Sequence, residues 1–198
     1  MLVWWFAEGV LGRSTQPRAR GSQHTPRNES FPNYLVWHPR DHASFTLERP
    51  AAGPLPAGSG ATIRIIEVLM ARQPYLLPAD SLEARRTAEI AADDVFVDSR
   101  NLVTRLDQGG TEMEARLPLS GRAALRLTHE WSDGPGGARL RSTMRLGAAA
   151  GALHSPPLRM LMDVEKVGRR WMAHCVEEFG NFEHFLPKLF YAAQRASA

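Results

Sequence analysis

An apolar stripe near the C-terminal end constrains the fold of this chain more than any other feature. Ser155, Pro156 and Pro157 predict the start of a helix, Pro187 predicts its end, and Gly180 is a candidate bend. Such a helix has about 30 residues and a length of roughly 45 Å. The members of the stripe follow at steps of three or four residues, which is the spacing of one helix face: Met160, Val164, Val167, Trp171, His174, Glu178, Phe182, Phe185 and Leu189.

Two members of this stripe are polar. His174 and Glu178 are four residues apart, so their Cβ atoms lie about 5–6 Å from each other on a helix, and one cation could contact both side chains. An ionised glutamate on an apolar face is unfavourable unless it is paired, protonated or bound to a metal. A solvated or salt-bridged pair shows the same spacing, so the spacing alone leaves both interpretations open.

Several segments alternate with the period of two that is typical of half-buried strands. Residues 61–72 place Glu67 on the inner face of a strand, and residues 124–131 do the same for His129. Residues 138–146 predict the second strand of a hairpin through a turn at 132–137. One face of that strand combines these residues: Leu140, Ser142, Met144 and Leu146.

The remaining segments predict shorter elements. Residues 1–7 form a short helix in which Trp4, Trp5 and Phe6 pack inward, and residues 12–33 form an exposed, mobile loop. Asp80 is expected to cap a short helix. The other predicted elements are a helix at 81–91, strands at 95–106 and 111–117, and a turn at 107–110.

Length and composition limit the class of protein. With 198 residues and 43% hydrophobic content, we expect one domain over 1–198. Cys175 is the only cysteine, which excludes a disulfide framework and a cysteine-rich zinc site and indicates a reducing, cytoplasmic location.

The charge distribution argues against nucleic-acid binding. The net charge of +3 arises within residues 12–30, where four arginines face one glutamate, because the rest of the chain has 20 basic and 20 acidic residues. The apolar run 1–7 is far shorter than the ~20 residues that a membrane span needs. We therefore expect a small-molecule ligand, no nucleic acid and no membrane.

Antiparallel strands followed by one long amphipathic helix predict an α+β domain in which a curved antiparallel sheet wraps around the helix. A ligand cavity would lie between them, with His174 and Glu178 opposite Glu67 and His129. Together with His42, the two helical residues and Glu67 are candidate metal ligands. Imidazole and carboxylate groups suit zinc, with iron or manganese as alternatives.

Other polar residues have patterns that favour structural roles. The pattern around His38 is typical of a hydrogen-bonded core histidine, and the same holds for His129 taken alone. Cys175 lies one step off the stripe and is expected to be a small packing residue. Glu177 and Glu183 are expected on solvated helix faces.

Three motifs resemble the 2,4-diacetylphloroglucinol hydrolase family. They are YLVWHPRDH at 34–42, HEW at 129–131 with RSTMRLG at 141–147, and HCVEEFGNFEHFLP at 174–187. The likeness extends from about residue 1 to 191, outside 12–30. It implies a helix-grip fold of the Bet v 1/START type and a zinc-dependent hydrolase that cleaves a carbon–carbon bond between an acyl group and a phenolic ring.

The resemblance also implies roles for individual residues. The zinc ligands would be His42, Glu67, His174 and Glu178. The catalytic residues would be Tyr34, His129 and Glu67. The substrate pocket would be lined by Tyr34, His129 and Met144.

The sequence departs from the family at the substrate pocket. Met144 stands where the family has a tyrosine that contacts the phenolic substrate, and Ala43, Ser44 and Phe45 replace a segment that contains an asparagine. Family members have a longer N-terminal region, so we expect a short or truncated form, with a homodimer possible. The alternatives are a non-catalytic helix-grip carrier of an aromatic or apolar small molecule, and a degenerate chain that folds poorly.

Overall fold

The computed structural model describes residues 1–14, 31–38, 40–69, 95–116, 123–147 and 164–196. The predicted helix at 81–91 and the start of the long helix at 155–157 lie outside these residues. The described helices are α1 (Leu2–Ala7), α2 (Asn33–Trp37), α3 (Val164–Gly180) and α4 (Phe182–Ala196), with a short 3-10 helix at Gly9–Leu11.

The strands form two antiparallel sheets. A small sheet pairs β1 (Arg13–Ser14) with β2 (Phe31–Pro32). The large sheet has six strands, and each pairs with its neighbour in the chain: β3 (His42–Arg49), β4 (Thr62–Leu69), β5 (Val95–Asp107), β6 (Gly110–Arg116), β7 (Ala123–Gly134) and β8 (Gly137–Leu146). The α+β class and the strands predicted around 61–72, 95–106, 111–117, 124–131 and 138–146 are confirmed within the described residues.

The β7–β8 hairpin is tighter than the sequence predicts. The strands run on until Gly134 pairs with Gly137, so only Pro135 and Gly136 form the turn. Gly136 has a φ of +82°, which favours glycine because it has no Cβ. The predicted turn at 132–137 is therefore wrong in its bounds, because Ser132 and Asp133 still belong to the strand.

The predicted long helix is divided into two. α3 ends at Gly180, the candidate bend, and α4 continues beyond Pro187. The prediction that Pro187 ends the helix is therefore wrong. A proline inside a helix removes a backbone hydrogen bond, but Phe185, Leu186 and Leu189 on both sides of it are buried, and their burial outweighs that loss.

The N-terminal residues belong to the core. Trp5 is completely buried and Phe6 nearly so, as predicted, and Trp4 packs at the margin of the same cluster. The loop predicted at 12–33 is wrong at both ends, since residues 13–14 pair with 31–32. Asn33 is buried in α2, where its side chain donates a hydrogen bond of 2.7 Å to the Gly9 carbonyl oxygen.

The helices pack over one face of the large sheet and enclose the main core cluster. None of the helices in the described ranges is long and apolar enough to cross a membrane. The main cluster joins α1, the 3-10 helix, α2 and α4, and Phe179 of α3 packs against it. It contains these buried residues: Trp5, Phe6, Val10, Tyr34, Val36, Trp37, Phe182, Phe185, Leu186 and Leu189. A smaller cluster on the sheet contains Ala61, Ile63, Val103 and Met113.

Candidate metal centre

The four predicted metal ligands meet between β3, β4 and α3. Nε2 of His42 lies 3.5 Å from Oε2 of Glu178 and 3.5 Å from Oε1 of Glu67. Nε2 of His174 lies 3.5 Å from Oε2 of Glu178 and 4.0 Å from Oε2 of Glu67. His42, His174 and Glu178 are buried, whereas Glu67 keeps 15% of its side chain exposed.

Local structure explains this convergence. His42 is the register partner of Glu67 in the antiparallel β3–β4 pair, and directly opposite residues point to the same side of a sheet. His174 and Glu178 are one turn apart on α3 and point to the same side of the helix. The helix packs with that side against β4, so the two pairs of side chains face each other.

Hydrogen bonds orient both imidazole rings. Nδ1 of His42 lies 2.8 Å from the Tyr34 carbonyl oxygen, and Nδ1 of His174 lies 3.0 Å from Oδ2 of Asp41. Both partners are acceptors, so each Nδ1 donates and each Nε2 of the neutral ring keeps its lone pair. Nε2 of His42 is buried and has no hydrogen-bond partner. This is the arrangement of histidines that bind a metal through Nε2.

The separations between the donor atoms fit a metal ion. Four ligands at about 2.0–2.2 Å from a tetrahedral ion lie about 3.3–3.6 Å from each other. The ligand atoms of His42, His174 and Glu178 lie within 4.8 Å of one another, with both imidazoles 3.5 Å from Oε2 of Glu178. Glu67 meets His42 through Oε1 at 3.5 Å and His174 through Oε2 at 4.0 Å, so it completes the set only after a small rotation of its carboxylate. Lone pairs that face each other in a buried site repel unless a cation or a proton lies between them.

The charge around the centre is negative. Asp41 is completely buried and accepts a hydrogen bond of 3.2 Å from Arg40, which also pairs with Glu177 on α3. With neutral imidazoles, these two carboxylates together with Glu67 and Glu178 carry four negative charges against one guanidinium. A divalent cation would compensate two of the three excess charges.

The helices that carry the ligands are fixed to each other by hydrogen bonds. The Trp37 indole donates to the Glu178 carbonyl oxygen at 3.0 Å. The Asn181 amide, at the junction of α3 and α4, donates to the carbonyl oxygens of Val36 at 3.0 Å and Trp37 at 2.8 Å. These contacts hold α2 against α3, and α2 supplies the carbonyl of Tyr34 that orients His42.

A cavity lies beside the four candidate ligands. Its volume is about 50 Å³, which leaves room for a few water molecules. Apolar side chains form most of its wall, including Phe6, Val10, Phe45, Ile63, Ile65 and Met113. Its polar lining comprises Tyr34, Glu67, Thr111, His129, His174 and Glu178.

Tyr34 is placed against the ligands. Its ring stacks on the His42 ring, with centroids 3.8 Å apart and planes 5° from parallel, and its hydroxyl donates a hydrogen bond to Glu67. Burial, and then the negative charge of Glu67, raise the pKa of Tyr34 well above its usual value. The hydroxyl therefore stays protonated at neutral pH and can act as a donor.

The structure places His129 at the cavity but not Met144. His129 lines the cavity, and its Nδ1 lies 2.8 Å from Oγ of Ser142 on the adjacent strand. Met144 is half-buried opposite Leu127 in the β7–β8 pair, yet only Leu127 lines the cavity. Of the three predicted pocket residues, Tyr34 and His129 are thus at the cavity.

Three comparisons with known proteins found no match for the chain. No protein family model matches it. No curated protein and no solved structure matches it either. The function of the centre must therefore be inferred from its own geometry.

A second group of side chains forms an outer layer of the same centre. The ligand atoms of His38, Asp41 and His174 also lie within 4.8 Å of one another. Nδ1 of His38 accepts a hydrogen bond of 3.1 Å from the Asp41 backbone N–H, so the neutral ring carries its proton on Nε2. Nε2 lies 3.4 Å from Oε2 of Glu177 without forming a hydrogen bond, and neither nitrogen of this ring has a free lone pair for a metal.

The pKa values show that the centre attracts positive charge. Burial alone would lower the pKa of His174, but Glu178, Asp41 and Glu67 outweigh burial and raise it well above the usual value. Burial alone would raise the pKa of Glu178, but His174 and His42 lower it well below the usual range. Without a metal, a proton therefore occupies the place of the cation.

His38 and Cys175 are buried, as the sequence predicts for core groups. Burial, with the nearby His42 and His174, lowers the pKa of His38 to about 3. Cys175 is buried, and burial raises the pKa of its thiol far above the usual value. Glu183 is exposed on α4 as predicted.

The sequence does not single out three residues of the centre. Asp41, Arg40 and Trp37 belong to the dense aromatic and polar segment 34–42, and Asp41 directly precedes a candidate ligand. Their position in this segment, next to His42, is the only sequence signal that points to them. The partners of Asp41 and Trp37 on α3 are 133 and 141 residues away in the chain.

Asp41→Asn is expected to weaken metal binding about 10–100-fold, because it removes the charged partner that orients His174 and raises its basicity. Competition with a chromophoric chelator would measure the affinity. Asp133→Asn, at an exposed position of the β7–β8 hairpin, is the matched control. Equal affinities of Asp41→Asn and the control would show that Asp41 does not support the metal.

His129→Gln is expected to reduce the loss of stability in mild acid. Burial lowers the pKa of His129 to about 4 from 6.5 in the unfolded chain. Between these values the unfolded state binds more protons, so stability falls as the pH falls. The histidine should contribute a loss of about 2 kcal/mol between pH 7 and pH 5.

Urea unfolding of metal-free protein at the two pH values would measure this loss. The exposed His184 provides the control, since His184→Gln should retain the wild-type difference. A His129→Gln variant with the same loss as wild type would contradict the assignment.

Proposed function

We propose that this protein is a zinc-dependent hydrolase that cleaves a carbon–carbon bond between an acyl group and a phenolic ring. The proposal rests mainly on the convergence of His42, Glu67, His174 and Glu178 at the polar end of an apolar cavity. The α+β arrangement is compatible with a helix-grip fold. The motif resemblance supports the same reaction.

The ligand set indicates how the site could bind substrate. A bound zinc ion would polarise a ketone oxygen or lower the pKa of a bound water towards 7. Catalytic zinc sites usually keep three protein ligands and one open position. Glu67 is the ligand best placed to detach, because it is more exposed than the others and already accepts a hydrogen bond from Tyr34.

The reaction requires a water molecule and two proton transfers. Water adds to the acyl carbon, the bond to the ring carbon breaks with its electron pair on the ring, and that carbon takes up a proton. The products are a carboxylic acid and the deacylated phenol. If the ring carbon is protonated first, the leaving group is an enolate and not an aryl anion.

Tyr34 and His129 are placed to bind the ring oxygens and move these protons. Both line the cavity, and the phenol of Tyr34 is held as a donor beside Glu67. Burial keeps His129 neutral at pH 7, so it can accept a proton. Each such group contributes typically 10²–10⁴-fold to a rate. Lining side chains must move to admit an acyl phenol, because the cavity has a volume of only about 50 Å³.

The test is hydrolysis of acyl phenols by zinc-loaded protein. We expect release of a carboxylate and the deacylated phenol from mono- and diacylphloroglucinols, in a 1:1 ratio and only when zinc is bound. Protein treated with a chelator and then reloaded is the control. Tight binding of these compounds without product release would instead favour a carrier.

A further inference from the structure

His129 and Ser142 form a side-chain pair across the β7–β8 hairpin. The two residues are register partners in the β7–β8 pair, so the backbone holds them opposite each other. Nδ1 of His129 lies 2.8 Å from Oγ of Ser142. The other ring nitrogen, Nε2, is therefore the one available to the cavity that His129 lines.

Ser142 is linked in turn to the candidate metal ligands. The buried Cys175 thiol lies beside both the Ser142 hydroxyl and the Glu178 carboxylate, which act on its pKa in opposite directions. A chain of polar groups thus runs from His129 through Ser142 and Cys175 to Glu178. It joins β7 and β8 to α3 behind the cavity wall.

The donor and acceptor roles along this chain of polar groups follow from Glu178 at its end. A Glu178 that binds a metal is a carboxylate and can only accept, so a hydrogen bond between it and the neighbouring Cys175 thiol has the thiol as donor. The sulfur is then left to accept from the Ser142 hydroxyl. With its proton used in this way, the Ser142 oxygen accepts from Nδ1–H of His129.

We infer that Ser142 is a positioning residue that holds His129 in the Nδ1–H tautomer, with the Nε2 lone pair presented to the cavity. Ser142 does not line the cavity and is therefore not a nucleophile. An acceptor at Nε2 selects ligands that carry a hydroxyl donor, such as a phenol or an enol, next to the group bound at the metal. The tautomer of His129 is independent of the proposed function, whereas the expected effect of Ser142 on turnover rests on it.

Long-range ¹H–¹⁵N NMR of the full-length protein, with and without zinc, would read the tautomer directly. The His129 ring signals are assigned from their loss in His129→Gln. Wild type is expected to show a proton on Nδ1 and none on Nε2. Ser142→Ala should shift His129 towards the Nε2–H tautomer, whereas Ser142→Thr, which keeps the hydroxyl, should not.

Ser132→Ala is the matched control, because Ser132 lies on β7 at an exposed position. Its spectrum should be that of wild type. A proton on Nε2 in the wild type would overturn the inference, and so would an unchanged tautomer in Ser142→Ala. The wild-type spectrum and Ser142→Thr decide the question even if Ser142→Ala does not fold.

Kinetics provide the second readout. Ser142→Ala should lower kcat about 10²-fold at unchanged zinc content, and Ser142→Thr should restore most of the rate. If wild type hydrolyses no acyl phenol, the proposed function fails, while the NMR measurement still decides the role of Ser142.

Discussion

His174→Ala is expected to remove zinc binding and turnover together. Binding free energies of about 10–16 kcal/mol at four-ligand zinc sites correspond to roughly 10²–10³-fold in affinity for each ligand. Purified wild type should contain about one zinc per chain, and the variant less than about a tenth. Elemental analysis of all transition metals would measure this and would distinguish zinc from iron or manganese.

The variant must also be shown to fold, because it removes a partner of the buried Glu178. Breaking a buried ion pair typically destabilises by about 3–5 kcal/mol. Glu178→Gln keeps the shape of the side chain and should lose zinc to a similar extent. His184→Ala and Glu183→Gln, both exposed on α4, are the controls. The proposed function would be contradicted if purified wild type contained no zinc, or if His174→Ala and Glu178→Gln retained it.

Periodicity predicts those features of the centre that are set within a single helix or strand, namely the direction in which each side chain points. The three-and-four spacing placed His174 and Glu178 on the buried side of α3, and alternation placed Glu67 and His129 on the inner face of the sheet. Such patterns repeat because burial acts on every turn or every second residue. The inward direction of these side chains is confirmed.

The elements that the sequence did not predict lack such a pattern. β3 contains register shifts between His42 and Ser44 and between Leu47 and Arg49, which interrupt the alternation of a strand. α2 has only five residues, and all of them are buried, so it shows no apolar stripe. Both elements depend on their neighbours in space, which a single sequence does not show.

The pocket illustrates the same limit. Alternation correctly predicts that Met144 shares a face with Ser142, but a face extends along the whole strand. Which of its side chains reach a cavity depends on the position of the covering helix. β8 is an edge strand of the sheet, and α3 brings its candidate ligands to β4, so the strands that line the cavity are β3 to β7.

Trp5→Ala is expected to produce the largest loss of stability among the core variants considered. Trp5 is completely buried and packs against Trp37, Phe182 and Phe185, with ring centroids 5.6, 5.7 and 5.2 Å away. Removing such a ring costs about 3–5 kcal/mol. For a chain of this size, that corresponds to a decrease in Tm of about 6–20 °C.

Thermal and urea unfolding of Trp5→Ala would measure this loss, with Tyr191→Ala as the control at an exposed aromatic position. Trp5→Phe should lose less, because it also removes an indole N–H that is buried without a partner. Since Trp37 connects Trp5 to the Glu178 carbonyl, Trp5→Ala should also weaken zinc binding while Tyr191→Ala does not. A Trp5→Ala protein with wild-type stability would show that α1 only covers the core and does not belong to it.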